Sequence, residues 1–142
     1  MKVSTRGDYA ARALLSLALH ESERPTSVKE IAERTCLPQP YLEQILLAVK
    51  GAGLVRSKRG VGGGYVLARP PEEITLAEIV AAVEGPIDAP VDAHDHCEGH
   101  CVLQEVWVGL SEETRAVLER FSLAELVRRT RVGHPRDERA VG

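Results

Sequence analysis

Apolar residues recur at spacings of three and four through most of this chain, so helices dominate the expected fold. A first helix is expected over about 6–20, with Tyr9, Ala13, Leu14, Leu17 and Ala18 on one face. A short second helix carries Val28, Ile31 and Ala32 and fades near Thr35. Pro40 suits the first position of a third helix, where its missing N–H would be unpaired anyway. Leu42, Ile45, Leu46 and Val49 form that helix's inward stripe, and Gly51 and Gly53 end it. The segments LVRS and YVLA read as two short strands joined by KRGVGGG. After the proline-rich turn ARPPEE, a fourth helix runs from Thr75 through about Val83 and stops at Glu84-Gly85-Pro86. From Val102 onward, Leu103, Val106, Trp107, Leu110, Val117, Leu118 and Phe121 mark roughly 30 Å of helix, with Gly109 and Ser111 as possible breaks. A last short helix starts near Leu123, and GHPRDERAVG has the composition of a disordered tail.

Helix starts are also marked by Ser or Thr followed three residues later by an acid, because the two side chains can take two orphan backbone N–H groups. Ser27 with Glu30, Thr75 with Glu78 and Ser122 with Glu125 match this pattern, and Thr5 with Asp8 is a weaker fourth. Two helices, a third with a polar outer face, and a hairpin tipped with Arg and Gly are the order of a winged helix-turn-helix. The expected fold is therefore mainly α with a small β-wing, followed by a long helix suited to dimerisation. Residues 1–85 would form the winged helix-turn-helix, 86–101 a cysteine and histidine loop, 102–130 the long helix with the short C-terminal one, and 131–142 the tail.

Once the inward stripe of the third helix is fixed, Gln39, Glu43, Leu47 and Lys50 face outward, with Gln44 at the margin. The overall charge of -3 hides a split. Residues 1–69 hold 11 Lys or Arg against 6 Asp or Glu, a net +5, and residues 70–142 a net -8. No carboxylate lies between Glu43 and Glu72, while Lys50, Arg56, Lys58, Arg59 and Arg69 fall in that gap. A basic, glycine-interrupted stretch favours a polyanion. Amide and carboxylate side chains match base-edge donors and acceptors in a major groove. Glycines beside Lys58 and Arg59 allow close approach to phosphates or a minor groove. The competing reading is a solvated helix face beside a flexible turn.

The length suits one domain. No run approaches the roughly 20 apolar residues that span a bilayer, and MKVSTRGDYA has no apolar run leading to a cleavage site, so a cytoplasmic protein without a membrane partner is expected. Three cysteines without an export signal argue against a disulfide framework. Cys36 is expected to be a packed turn residue. The segment HDHCEGHC, residues 94–101, concentrates thiols and imidazoles, the ligands of zinc and of iron-sulfur clusters. A polar loop with reduced, empty thiols is the alternative. No nucleophile with an oriented base is evident, so no enzyme is expected.

The segments STRGDYAARALLSLA, PYLEQILLAVKGAGLV, RGVGGGYVLAR and LAEIVAAVEGPI resemble the Rrf family of winged-helix transcription regulators, of the IscR, NsrR and CymR type. The resemblance covers residues 1 to about 130. It implies that the third helix reads a major groove and that the wing's Arg-Gly enters a minor groove, which fall on Gln39, Tyr41, Glu43, Arg59 and Gly60 here, with a place in the core as the alternative for Tyr41. Prolines at 38 and 40 depart from the family's small polar residues and remove a backbone N–H or hydroxyl contact. The resemblance also implies a two-fold dimer through the long helix on a near-palindromic double-stranded operator; packing within one chain is the alternative for that stripe.

Many members hold an iron-sulfur cluster on three loop cysteines, with a fourth ligand from a histidine three residues later or an aspartate in the first helix. Aligned on Trp107, Cys101 matches the last of those cysteines, Gln104 removes the histidine option, and Asp8 stands where the aspartate would be. Asp8 could instead complete the Thr5 cap. Cys97 is the second thiol, a third is missing, and His96 and His100 are weaker candidates beside His94. An iron-sulfur cluster is the expected cofactor, with zinc as the alternative. A metal-independent regulator, or an interaction module controlled by a protein partner, is the alternative function.

Overall fold

The computed structural model describes residues 3–21, 24–89 and 98–133. In chain order these form α1 (Thr5–Leu19), α2 (Val28–Thr35), α3 (Gln39–Gly51), β1 (Val55–Lys58), β2 (Gly64–Leu67), a 3-10 turn (Pro71–Glu73), α4 (Leu76–Glu84), α5 (His100–Glu119) and α6 (Leu123–Val132). The core gathers α1, α2, α3, α4 and α6 around Leu14, Ile31, Leu42, Leu46, Ile79 and Leu123, all fully buried. The stripe expected of α3 is the one it buries: Leu42, Ile45, Leu46 and Val49 all lie inside. Burying side chains of this size stabilises the fold by about 1.5–3 kcal/mol each. Helix α3 begins one residue before Pro40, which therefore occupies its second position.

The hydroxyls of Ser27, Thr75 and Ser122 accept from the N–H groups of Glu30, Glu78 and Glu125 at 3.1, 3.3 and 3.1 Å, as the capping pattern predicts. The acids themselves bind arginines. Glu30 meets Arg24 and Arg34, Glu78 meets Arg69, and Glu125 meets Arg128 and Arg129. At α1 the cap is Ser4, not Thr5: Ser4 is extended and accepts from Gly7 N–H at 3.0 Å, while Thr5 is already helical. Asp8 completes no cap, and its carboxylate pairs with Arg12 one turn on at 3.0 Å.

Hydrogen bonds from Arg128 and then Arg129 lower the Glu125 carboxyl from its ordinary value of 4.5 to about 2. A carboxyl depressed by folding adds stability above about pH 4.5, and that contribution is lost as pH falls toward 2. Glu125→Gln should therefore flatten the fall of Tm with acid over this range, and the difference should shrink in 1 M salt because the group is exposed. Identical acid limbs for the two proteins would show that the arginines contribute nothing there.

The strands are displaced by one residue from the expected segments. Leu54 turns into the core while its carbonyl accepts from Ala68 N–H at 3.0 Å, so pairing continues past β1 and β2 without strand geometry. The register sets Val55 opposite Leu67 and Lys58 opposite Gly64. Thr26, between α1 and α2, exchanges both backbone hydrogen bonds with Tyr65, at 3.0 and 2.8 Å, and pins the free edge of β2.

Helix α6 returns to the core instead of extending away. Leu76 N–H donates to Phe121 O and Leu123 N–H donates to Ile74 O, so the cap residues Thr75 and Ser122 sit side by side in an antiparallel bridge. Helix α5 runs unbroken through Gly109 and Ser111. One interior glycine costs only about 1 kcal/mol relative to alanine, too little to interrupt a long helix. Phe121 lies beyond the end of α5, where the Arg129 guanidinium stands 5.3 Å from its ring centre. None of the 20 residues of α5 is buried. Arg115 donates to Ile87 O and, at 2.9 Å, to Asp88, tying the segment after α4 onto α5. Among the described residues no helix is long and apolar enough to cross a membrane.

Candidate nucleic-acid interface

With its apolar stripe inside, α3 turns Gln39, Glu43, Leu47 and Lys50 to solvent as one row, with Tyr41 and Gln44 beside it. Tyr41 is 61% exposed, so it is a surface residue and not part of the core. The Gln39 amide donates to the Glu43 carboxylate at 3.4 Å along this row. Pro38 precedes the helix without a side-chain cap, which leaves the Gln39 and Tyr41 N–H groups at a positive helix end.

The turn before α3 is tighter than a packed cysteine would suggest. Cys36 is exposed and left-handed, with φ 56 and ψ 35, and it closes α2 by donating its N–H to Ala32 O. The expectation of burial fails because α2 ends in a position usually filled by glycine, and Leu37, the next residue, turns into the core in its place.

The wing projects Lys58, Arg59, Gly60, Val61 and Gly62 into solvent. Gly60 and Gly62 adopt φ 97 and 75, and the Gly63 N–H donates to Gly60 O at 3.0 Å, so a tight loop forms at the tip. Gly63 and Gly64 are fixed by space. A Cβ on Gly63 would lie 2.8 Å from Gly60 O, and one on Gly64 would lie 2.7 Å from Ser27 N and closer still to the Thr26 carbonyl.

Of the five cations in the carboxylate-free stretch, Arg69 is removed by its ion pair with Glu78. Lys50, Arg56, Lys58 and Arg59 are exposed and form no ion pair among the described residues. The Arg69 neutralisation is not legible in the charge pattern, because Glu78 lies beyond the carboxylate-free stretch.

The cysteine motif is only half in view. His100 and Cys101 occupy the first turn of α5, and Cys101 is exposed. His94, His96 and Cys97 lie outside the described residues. Among the described residues no three His, Cys, Asp or Glu side chains gather in a metal-sized group, and Asp8 faces Arg12.

Residues 3–129 match the family model Rrf2, described as an iron-dependent transcriptional regulator. The HTH-type regulator CymR of Bacillus subtilis is 38% identical over 126 residues, 89% of each chain, and its solved structure superposes with a TM-score of 0.74 over 89% of this chain and 96% of that one. The solved IscR of T. potens is 38% identical, with a TM-score of 0.72, over 90% of this chain and 87% of that one. A third relative, the HTH-type regulator slr0846 of Synechocystis sp., is 50% identical over 84 residues, 59% of this chain and 57% of that protein. An extended family match and near full-length likeness to two solved winged-helix regulators agree with the helix order and the wing, and the chain belongs to the Rrf2 family of DNA-binding transcriptional regulators.

Proposed function

We propose that two copies of this chain, paired through α5, read a near-palindromic operator and report the state of the loop that precedes that helix. In this reading α3 enters the major groove with Gln39, Tyr41, Glu43, Gln44 and Lys50, while Arg59 and Gly60 reach the adjacent minor groove and Lys58 meets phosphate. The observation that carries it is the polar outer row of α3 and an exposed Arg-Gly tip, joined by a stretch that holds no carboxylate between Glu43 and Glu72. Half-sites would lie about one DNA turn apart.

The exposed length of α5 supports the dimer. Val102, Leu103 and Leu110 are 65%, 51% and 50% exposed on a helix with no buried residue, an apolar surface that a single copy leaves in water.

The loop would hold its cofactor through Cys97 and Cys101, with His96, His100 or Asp8 completing the set. Relatives named IscR favour an iron-sulfur cluster and relatives named CymR a metal-independent control, with zinc as a further possibility for two thiols and two imidazoles. Of these donors, Cys101 is exposed on the first turn of α5. The Asp8 carboxylate would first have to leave Arg12. A bound group would supply a charge and a cross-link there; this chain's part would be to couple the loop to α5, and through α5 to the separation of the two reading heads.

The test is selection from a random-sequence duplex library by protein purified without oxygen, with metal analysis and a visible spectrum of the same sample. A near-palindromic consensus with iron and colour is the expected result. A consensus with no metal would leave the regulator and remove the cofactor; the absence of any consensus would end the regulator reading.

A further inference from the structure

We infer that Leu47 is a specificity-determining residue that reads the 5-methyl group of one thymine in each half-site, an inference that rests on the DNA-binding reading above. A single exposed leucine is commonplace on a protein surface. What sets Leu47 apart is its row. It is 63% exposed on the outer face of α3, one turn beyond Glu43 and two beyond Gln39, with Lys50 following it. Its neighbours on that face offer amide, carboxylate and ammonium groups, while Leu47 offers only methyls.

The leucine does nothing for the fold at that position. The inward stripe of α3 is complete without it, and it is absent from the buried core and from the residues packed against that core. Self-association does not call for it either, because α5 provides a separate and far longer apolar face. Among the base edges in a major groove, only thymine presents a methyl group, and apolar side chains are its partners. Glu43 and Leu47 are about 6 Å apart along the helix axis, or roughly two base-pair steps. Leu47 would therefore face a thymine about two steps from the base pair opposite Glu43.

The probe is the duplex that wild-type protein selects from a random library, remade with each thymine replaced in turn by deoxyuridine, which removes only the methyl. One position per half-site is expected to weaken binding by about fourfold, the factor for one buried methyl group. Leu47→Ala, a surface change checked for folding by its circular dichroism melt, should bind thymine and uracil equally at that position and keep every other preference. Wild type indifferent to uracil throughout, or a Leu47→Ala variant that keeps the uracil penalty, overturns the inference while the regulator reading stands. Selection of no preferred sequence overturns both.

Discussion

Trp107→Asp combined with Leu110→Asp is expected to give a folded monomer that binds a two-half-site duplex about 10²- to 10⁴-fold more weakly than wild type. Both side chains lie on α5, 43% and 50% exposed, and neither belongs to the core that α1 to α4 and α6 share. In one copy, aspartate at these positions remains in water, so the variant should still melt cooperatively, at a temperature lowered by the loss of the stabilisation that pairing supplies. In a pair joined along α5, the same carboxylates would lie at the contact, unpaired and facing their like, which is prohibitive. The loss of DNA affinity follows because the second half-site is no longer bound within the same molecule. Light scattering with anisotropy checks both halves. A variant that stays dimeric would move the interface off α5, and a wild type that is already monomeric would remove it.

Gly64→Ala is expected to have the second largest effect, lowering stability by about 1–3 kcal/mol and weakening specific DNA binding as well. The new Cβ would sit against backbone, the Thr26 carbonyl and Ser27 N, neither of which can rotate away. Relief requires breaking the two hydrogen bonds between Thr26 and Tyr65, and these hold the wing to the rest of the domain. Gly51→Ala is the control. No atom lies within 4 Å of a Cβ there, and the residue ends α3 in helical geometry, so its unfolding midpoint in urea should rise slightly. Equal midpoints for Gly64→Ala and wild type would show that the wing is not clamped by Thr26.

Much of this fold is legible because its helices are amphipathic and locally capped. The stripe of Leu42, Ile45, Leu46 and Val49 follows from spacing alone, and Ser27, Thr75 and Ser122 mark their helices because a cap is a contact between neighbours in sequence. What spacing misses is contact between distant segments. The edge bridge from Thr26 to Tyr65, the pairing of Thr75 with Ser122 that returns α6 to the core, and the loss of Arg69 to Glu78 all join residues at least nine apart. Ser4 and Thr5, two adjacent hydroxyl residues, compete for the cap of α1, and only the backbone angles choose between them. The exposure of Cys36 depends on a left-handed turn that composition does not announce. The outer row of α3 was readable as a by-product of its inner stripe. What the segment before α5 holds was not, since Cys97 and Cys101 specify a donor pair without specifying what completes it.

The most direct test of a reading surface made from α3 and the wing is a hydroxyl-radical footprint on the selected duplex, wild type beside Arg59→Ala. The expected wild-type pattern is backbone protection on one side of the duplex at two half-sites about one turn apart, with flanking minor-groove protections that Arg59→Ala loses while the central ones persist. Identical footprints for the two proteins, or protection without any half-site repeat, would contradict it.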